Sequence, residues 1–131
     1  MKKFTTLMYA LLFILLNSCD IGDNDDVCIY TQGAFVTAID APLTAMVNQP
    51  VDVEVSFPVV NGCGIFNRFI ETTDGNTITI AVEAIYEGCV CTADVPTRVT
   101  TYRFTPSALG QYELKFVSSD GNFITASITV N

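Results

Sequence analysis

The chain has 131 residues, half of them hydrophobic and 15% charged, and its 6 Lys and Arg against 14 Asp and Glu give a formal charge of −8. This balance excludes a disordered protein, and no apolar run of about 18 residues or more lies outside the N-terminus, which excludes a polytopic bundle of membrane-spanning helices. The length suits a single domain, and the chain contains neither histidine nor tryptophan.

Met1-Lys2-Lys3 is a short basic start, and an apolar core runs from Leu7 to Leu16. That core is too short to cross a bilayer stably, and the small-residue break behind it fits a cleaved signal peptide over residues 1–18. The break reads Leu16-Asn17-Ser18-Cys19, which resembles the lipobox of bacterial lipoproteins. The resemblance implies that Cys19 carries a thioether-linked diacylglycerol and an amide-linked acyl chain, more than stable membrane attachment needs. Asn17 departs from the small or apolar residue usual at that place. Five cysteines is an odd number for an exported chain, and assigning Cys19 to lipid leaves four that can pair.

Asp20-Ile21-Gly22-Asp23-Asn24-Asp25-Asp26 follows directly. Its carboxylates cannot build a core, so residues 19–27 read as the lipidated cysteine and a solvated tether, roughly 25 Å at full stretch. The run resembles the acidic surface-export signal of Bacteroidetes lipoproteins, which implies an outer-membrane anchor and exposure at the cell surface. Asp23, Asp25 and Asp26 are hard oxygen ligands, but the Gly and Glu of an EF-hand loop do not fall in place, so no metal is expected. After cleavage the 14 acids face only 4 Lys and Arg, a balance of −10. Such a body is repelled by nucleic acid.

From Gly33 onward the pattern has period two and no sustained helical period, so the mature chain over 28–131 is expected to be all-β. Seven strands are expected, at 33–39, 51–58, 65–71, 76–86, 97–105, 110–118 and 123–130. Val51, Val53, Val55 and Phe57 alternate with polar residues, as do Ile78, Ile80, Val82 and Ala84, then Tyr112, Leu114 and Phe116, then Ile124, Ala126, Ile128 and Val130. Asp74-Gly75 and Asp120-Gly121 supply the positive φ that tight hairpins demand. On the third strand, parity predicts that Phe66 or Phe69 faces outward.

Pro106-Ser107-Ala108-Leu109-Gly110-Gln111-Tyr112 resembles the tyrosine corner of immunoglobulin-like domains. With the strand count and the tight third-to-fourth hairpin, residues 33–131 most resemble a seven-stranded antiparallel fibronectin type III or immunoglobulin-like sandwich. The resemblance implies strands one, two and five in one sheet and three, four, six and seven in the other. The core tryptophan and inter-sheet cysteines of antibody domains are missing, which implies a purely apolar core. In this topology Cys28, Cys63, Cys89 and Cys91 gather at one end. Export permits disulfides, and a Cys89–Cys91 bridge would close too small a ring. Cys63 should therefore pair with one of Cys89 and Cys91, and Cys28 with the other. Zinc lacks paired C-x₂-C knuckles, and a redox pair lacks the C-x-x-C at a helix N-terminus.

Without histidine the usual base for a Ser or Cys nucleophile is missing, and no G-x-S-x-G, phosphate loop or H-E-x-x-H occurs. Glu54, Glu83 and Glu113 sit at wet positions of strands, where a carboxylate pair would be needed for glycoside chemistry. Arg68 and Arg103 interrupt strands and are either a basic spot or partners for Glu71 or Glu83. Tyr30, Phe35 and Tyr86 are expected near the cysteine-bearing end. The chain is thus expected to be a non-catalytic, cofactor-free, lipid-anchored module of the cell envelope that binds a protein or glycan partner. The alternatives are a protease inhibitor resembling the chagasin type, whose loop motifs are not found, and a glycan-binding or glycan-active surface protein. The tether enters at the cysteine-bearing end, which is expected to lie near the membrane.

Overall fold

The computed structural model describes residues 28–131. The expected signal peptide over 1–18, the expected lipidation site Cys19 and the expected acidic tether lie outside the described residues. Among the described residues the structure is all-β: β1 (Ile29–Ala34), β2 (Ala38–Asp40), β3 (Thr44–Ala45), β4 (Val51–Pro58), β5 (Gly64–Asp74), β6 (Thr77–Glu87), β7 (Thr97–Phe104), β8 (Gly110–Ser119) and β9 (Asn122–Val130). They form two sheets packed as a sandwich. One contains β2-β4-β7; the other contains β5, β6, β1, β8, β9 and β3.

The core follows from the alternation. Val53, Val55 and Phe57 of β4 face Ile78, Ile80, Val82, Ala84 and Tyr86 of β6, with Leu114, Phe116 and Ile128 beside them, all buried. No polar or charged residue is buried among the described residues, as the apolar core expected from the missing tryptophan and inter-sheet cysteines requires. Tyr112 Oη donates to the Ala108 carbonyl at 3.3 Å, closing the tyrosine corner.

Four expectations are corrected. The strands number nine among the described residues, because the expected first strand is two and the short β3 at Thr44–Ala45 is an additional one. β1 pairs with β6, the chain crosses at Phe35–Thr37, and β2 pairs with β4 in the opposite sheet. β1 escaped notice because its first five residues are all exposed, so it lacks an apolar face. The sheets are not purely antiparallel either, since β6–β8 and β3–β9 run parallel. The sheets recruit the expected strands, but immunoglobulin domains set the third strand beside the sixth, whereas here the fourth, β6, takes that place and β5 lies outside it.

The fourth correction is local. Asn67 is a bulge: Phe66 opposes Ala84 while Arg68 opposes Glu83. The extra residue resets the parity, so Phe66 and Phe69 both turn inward, with ring centroids 4.7 Å apart. Both Asp-Gly pairs do form tight antiparallel hairpins, as expected, and they differ only in which two residues make the loop. Asp74 pairs with Thr77, leaving Gly75-Asn76 as the loop, whereas Ser119 pairs with Asn122, leaving Asp120-Gly121. Positive φ at Gly75 (58°) and Gly121 (74°) is what the two turns share.

The Tyr86 hydroxyl, at the buried end of β6, accepts the Val60 N–H at 3.1 Å. Tyr86→Phe should cost about 1–2 kcal/mol, because that N–H loses its acceptor. In urea denaturation the midpoint should fall with an unchanged slope; an unmoved midpoint would show the bond contributes nothing.

Candidate functional site

One end of the sandwich is built by four segments: the start of β1, the β4–β5 connection, the end of β6 and the β6–β7 connection. Two disulfides tie them, Cys28–Cys89 and Cys63–Cys91, with Cα separations of 5.0 and 5.5 Å. This is one of the two pairings left open by the sequence, and it commits all four thiols, so neither a zinc set nor a free redox pair is assembled. Gly88 sits at φ 135°, a conformation side chains rarely adopt, and a Cβ there would lie 3.1 Å from Cys63 Sγ. Its N–H donates to the Cys28 carbonyl at 2.9 Å. Arg98, which sequence reasoning passed over, donates from Nε to the Gly64 carbonyl at 2.9 Å and from Nη2 to the Gly62 carbonyl at 3.1 Å. It binds β7 of one sheet to the loop that opens the other. Tyr30 stacks on Tyr86 at 4.7 Å. Tyr86 itself is buried rather than offered to a ligand, and Phe35 lies at the mid-height crossover instead of at this end.

The opposite end carries the β2–β4, β5–β6 and β7–β8 connections. Two shallow clefts open toward it. One, about 320 Å³, is lined by Asn76, Thr77, Gln111, Tyr112, Glu113 and Ser127. The second, about 330 Å³, runs along Ile39, Asp40, Ala41, Pro42, Leu43, Thr125, Ala126 and Ser127. Gln111 Nε2 donates to Ser127 Oγ at 2.7 Å, and Asn76 Nδ2 to the Gln111 carbonyl at 3.1 Å. Leu43, Met46 and Leu109 are exposed on the connections of this end.

The three glutamates are not brought together. Glu54 lies on the outer face of the β2-β4-β7 sheet, where the register sets it opposite Asp40. Glu83 and Glu113 lie on the other sheet, separated by most of the length of β6. Arg68 and Arg103 occupy opposite outer faces and make no common basic spot. Arg68 pairs with Glu83 at 2.9 Å, one of the two partners foreseen. Arg103 instead forks onto Asp52, at 2.8 and 3.1 Å, its cross-strand neighbour. Lys115 reaches Glu113 at 3.7 Å. Burial, and after it the Glu71 carboxylate of β5, push the Tyr102 hydroxyl well above its ordinary range.

The chain belongs to the ORF11 beta-sandwich domain family, whose model matches residues 51–130. The match begins at β4 and takes in Cys63, Cys89 and Cys91, leaving Cys28 and β1–β3 ahead of it. The chain matches no curated protein and no solved structure.

Each bridge closes a long loop, with separations of 61 and 28 residues. Loop-closure entropy sets the loss from removing either at about 3–4 kcal/mol, so paired Cys63→Ala, Cys91→Ala and Cys28→Ala, Cys89→Ala variants should each show that drop in chemical denaturation.

The surface pairs predict an acid limb. The Arg103 hydrogen bond lowers the Asp52 carboxyl below 3.8, and hydrogen bonds from Arg68 and Asn67 lower Glu83 below 4.5. Groups depressed in the folded state stabilise it above their unfolded values, and that contribution is lost as pH falls through the folded ones. Stability should therefore decline as pH drops below the ordinary carboxylate range, and Glu83→Gln should make the decline shallower. An unchanged slope in pH-dependent denaturation would rule out the pair as its source.

Proposed function

We propose that the protein is a non-catalytic bacterial lipoprotein of Bacteroidetes type, anchored to the outer membrane through lipid on Cys19. Its sandwich acts as a binding or accessory module of the cell envelope. The observation that carries this reading is the cysteine pairing. Four of the five cysteines are spent in two bridges inside the domain, and the fifth is the one in Leu16-Asn17-Ser18-Cys19. Two disulfides also favour a non-reducing compartment, as export requires.

The sandwich shares its sheet membership and its tyrosine corner with immunoglobulin-like domains, and differs in strand order. The partner meets the end away from Cys28, where the clefts and the exposed Leu43, Met46 and Leu109 lie. A protein partner uses those apolar side chains. A glycan is the second reading, favoured by the hydrogen-bonding lining of Asn76, Gln111, Glu113 and Ser127. The chagasin-like reading loses support, because the stapled loops belong to the anchored end and would face the membrane.

Intact mass of the membrane-extracted protein tests the anchor. Loss of residues 1–18, the added mass of a diacylglycerol and an acyl chain, and four alkylated thiols only after reduction are expected. A chain without lipid on Cys19 would refute the reading.

A further inference from the structure

We infer that the stapled end is itself a membrane-contact surface: Val90, with Val60, Val95, Ile29 and Tyr30 around it, rests on the lipid bilayer and fixes the orientation of the domain. The inference depends on the lipid-anchor reading of Cys19. Val90 is 95% exposed, and Val95 64%, with Val60, Ile29 and Tyr30 about half exposed. All five belong to segments that meet at this one end. Apolar side chains are exposed at the other end as well, so exposure alone does not choose between them.

The point of chain entry does choose. Cys28 is bridged to Cys89, so the tether arrives at the residue next to Val90. From Cys19 the chain has nine peptide steps, at most about 30 Å, which keeps this end within reach of the surface. A few valines would not hold a soluble protein on a membrane. Once lipid anchors the chain, however, the contact becomes intramolecular, and a short linker gives it an effective concentration in the millimolar range. Ordering costs are small as well, because bridged cysteines on both sides hold Val90 in place. Tyrosine suits the headgroup level. Glu87 and Asp94 are exposed at this end and Arg98 is engaged with loop carbonyls, so charge does not attract it to anionic lipid. The surface it fits is zwitterionic.

The natural chain has no tryptophan, so single reporters are clean. The full-length lipidated protein carrying V90W, V95W or L43W would be reconstituted into phosphatidylethanolamine–phosphatidylcholine vesicles with and without brominated acyl chains. Leu43, 79% exposed at the far end, is the control. Emission from V90W and V95W should shift to the blue and be quenched by bromolipid several-fold more than that from L43W. Equal quenching, stronger quenching of L43W, or disagreement between V90W and V95W would overturn the inference. Intact mass of the same samples separates the two failures. With lipid present and V90W unquenched, the contact surface falls and the anchor stands; without lipid, both fall.

Discussion

The sandwich is organised around one strand that has to satisfy three neighbours. β6 takes β5 along its whole length on one edge, while its other edge is divided between β8 at the start and β1 toward the end. Its inward residues Ile78, Ile80, Val82, Ala84 and Tyr86 are buried without a break. A shift of one residue would turn all five into water, so this strand's register determines that of the others. Sharing one edge between two strands also explains the crossover. Once β8 occupies the first half, the N-terminal segment can pair with β6 only as far as Ala34, and it then leaves for the other sheet.

Much of this was legible. Strict alternation in the strands at 51–58, 76–86, 110–118 and 123–130 marked both the elements and their inward faces, because one wet face and one dry face leave a period-two signature. The cysteine-bearing end was legible for a topological reason: three loops that alternate with strands of one length must come out on the same side. What alternation does not encode is which strand lies beside which. A signal was nonetheless present. β6 has an unbroken inward row, while β5 carries Arg68 and Glu71 and is largely exposed, as edge strands are. That contrast places β6 inside and β5 outside, which in turn forces the parallel pairing with β8.

The bulge at Asn67 marks the limit of parity arguments. Phe66 and Phe69 have opposite parity, and both face the core because one inserted residue lies between them. The same insertion leaves Asn67 Nδ2 and Arg68 Nε both donating to Glu83 Oε1, at 2.7 and 2.9 Å. Local chemistry is equally silent on turn placement. Thr73-Asp74-Gly75-Asn76 and Ser119-Asp120-Gly121-Asn122 differ in one residue, yet their loops start one position apart. The second hairpin carries a bulge, between Val117 and Ser119, beside its turn, and the first has none there.

The use of cations bears on the proposed binding role. Of the four Lys and Arg among the described residues, Arg68, Arg103 and Lys115 each face a carboxylate, and Arg98 is engaged with backbone carbonyls. The acids outnumber them, so the outer surface offers unpaired negative charge, amide and hydroxyl groups and scattered apolar side chains, with every described cation already engaged. A phosphate, a sulfated chain or nucleic acid would have to displace an existing ion pair and meet a repulsive field. A neutral glycan or an uncharged or basic protein face meets no such cost. For the proposed binding role, the charge balance therefore favours a neutral or basic partner over an anionic one.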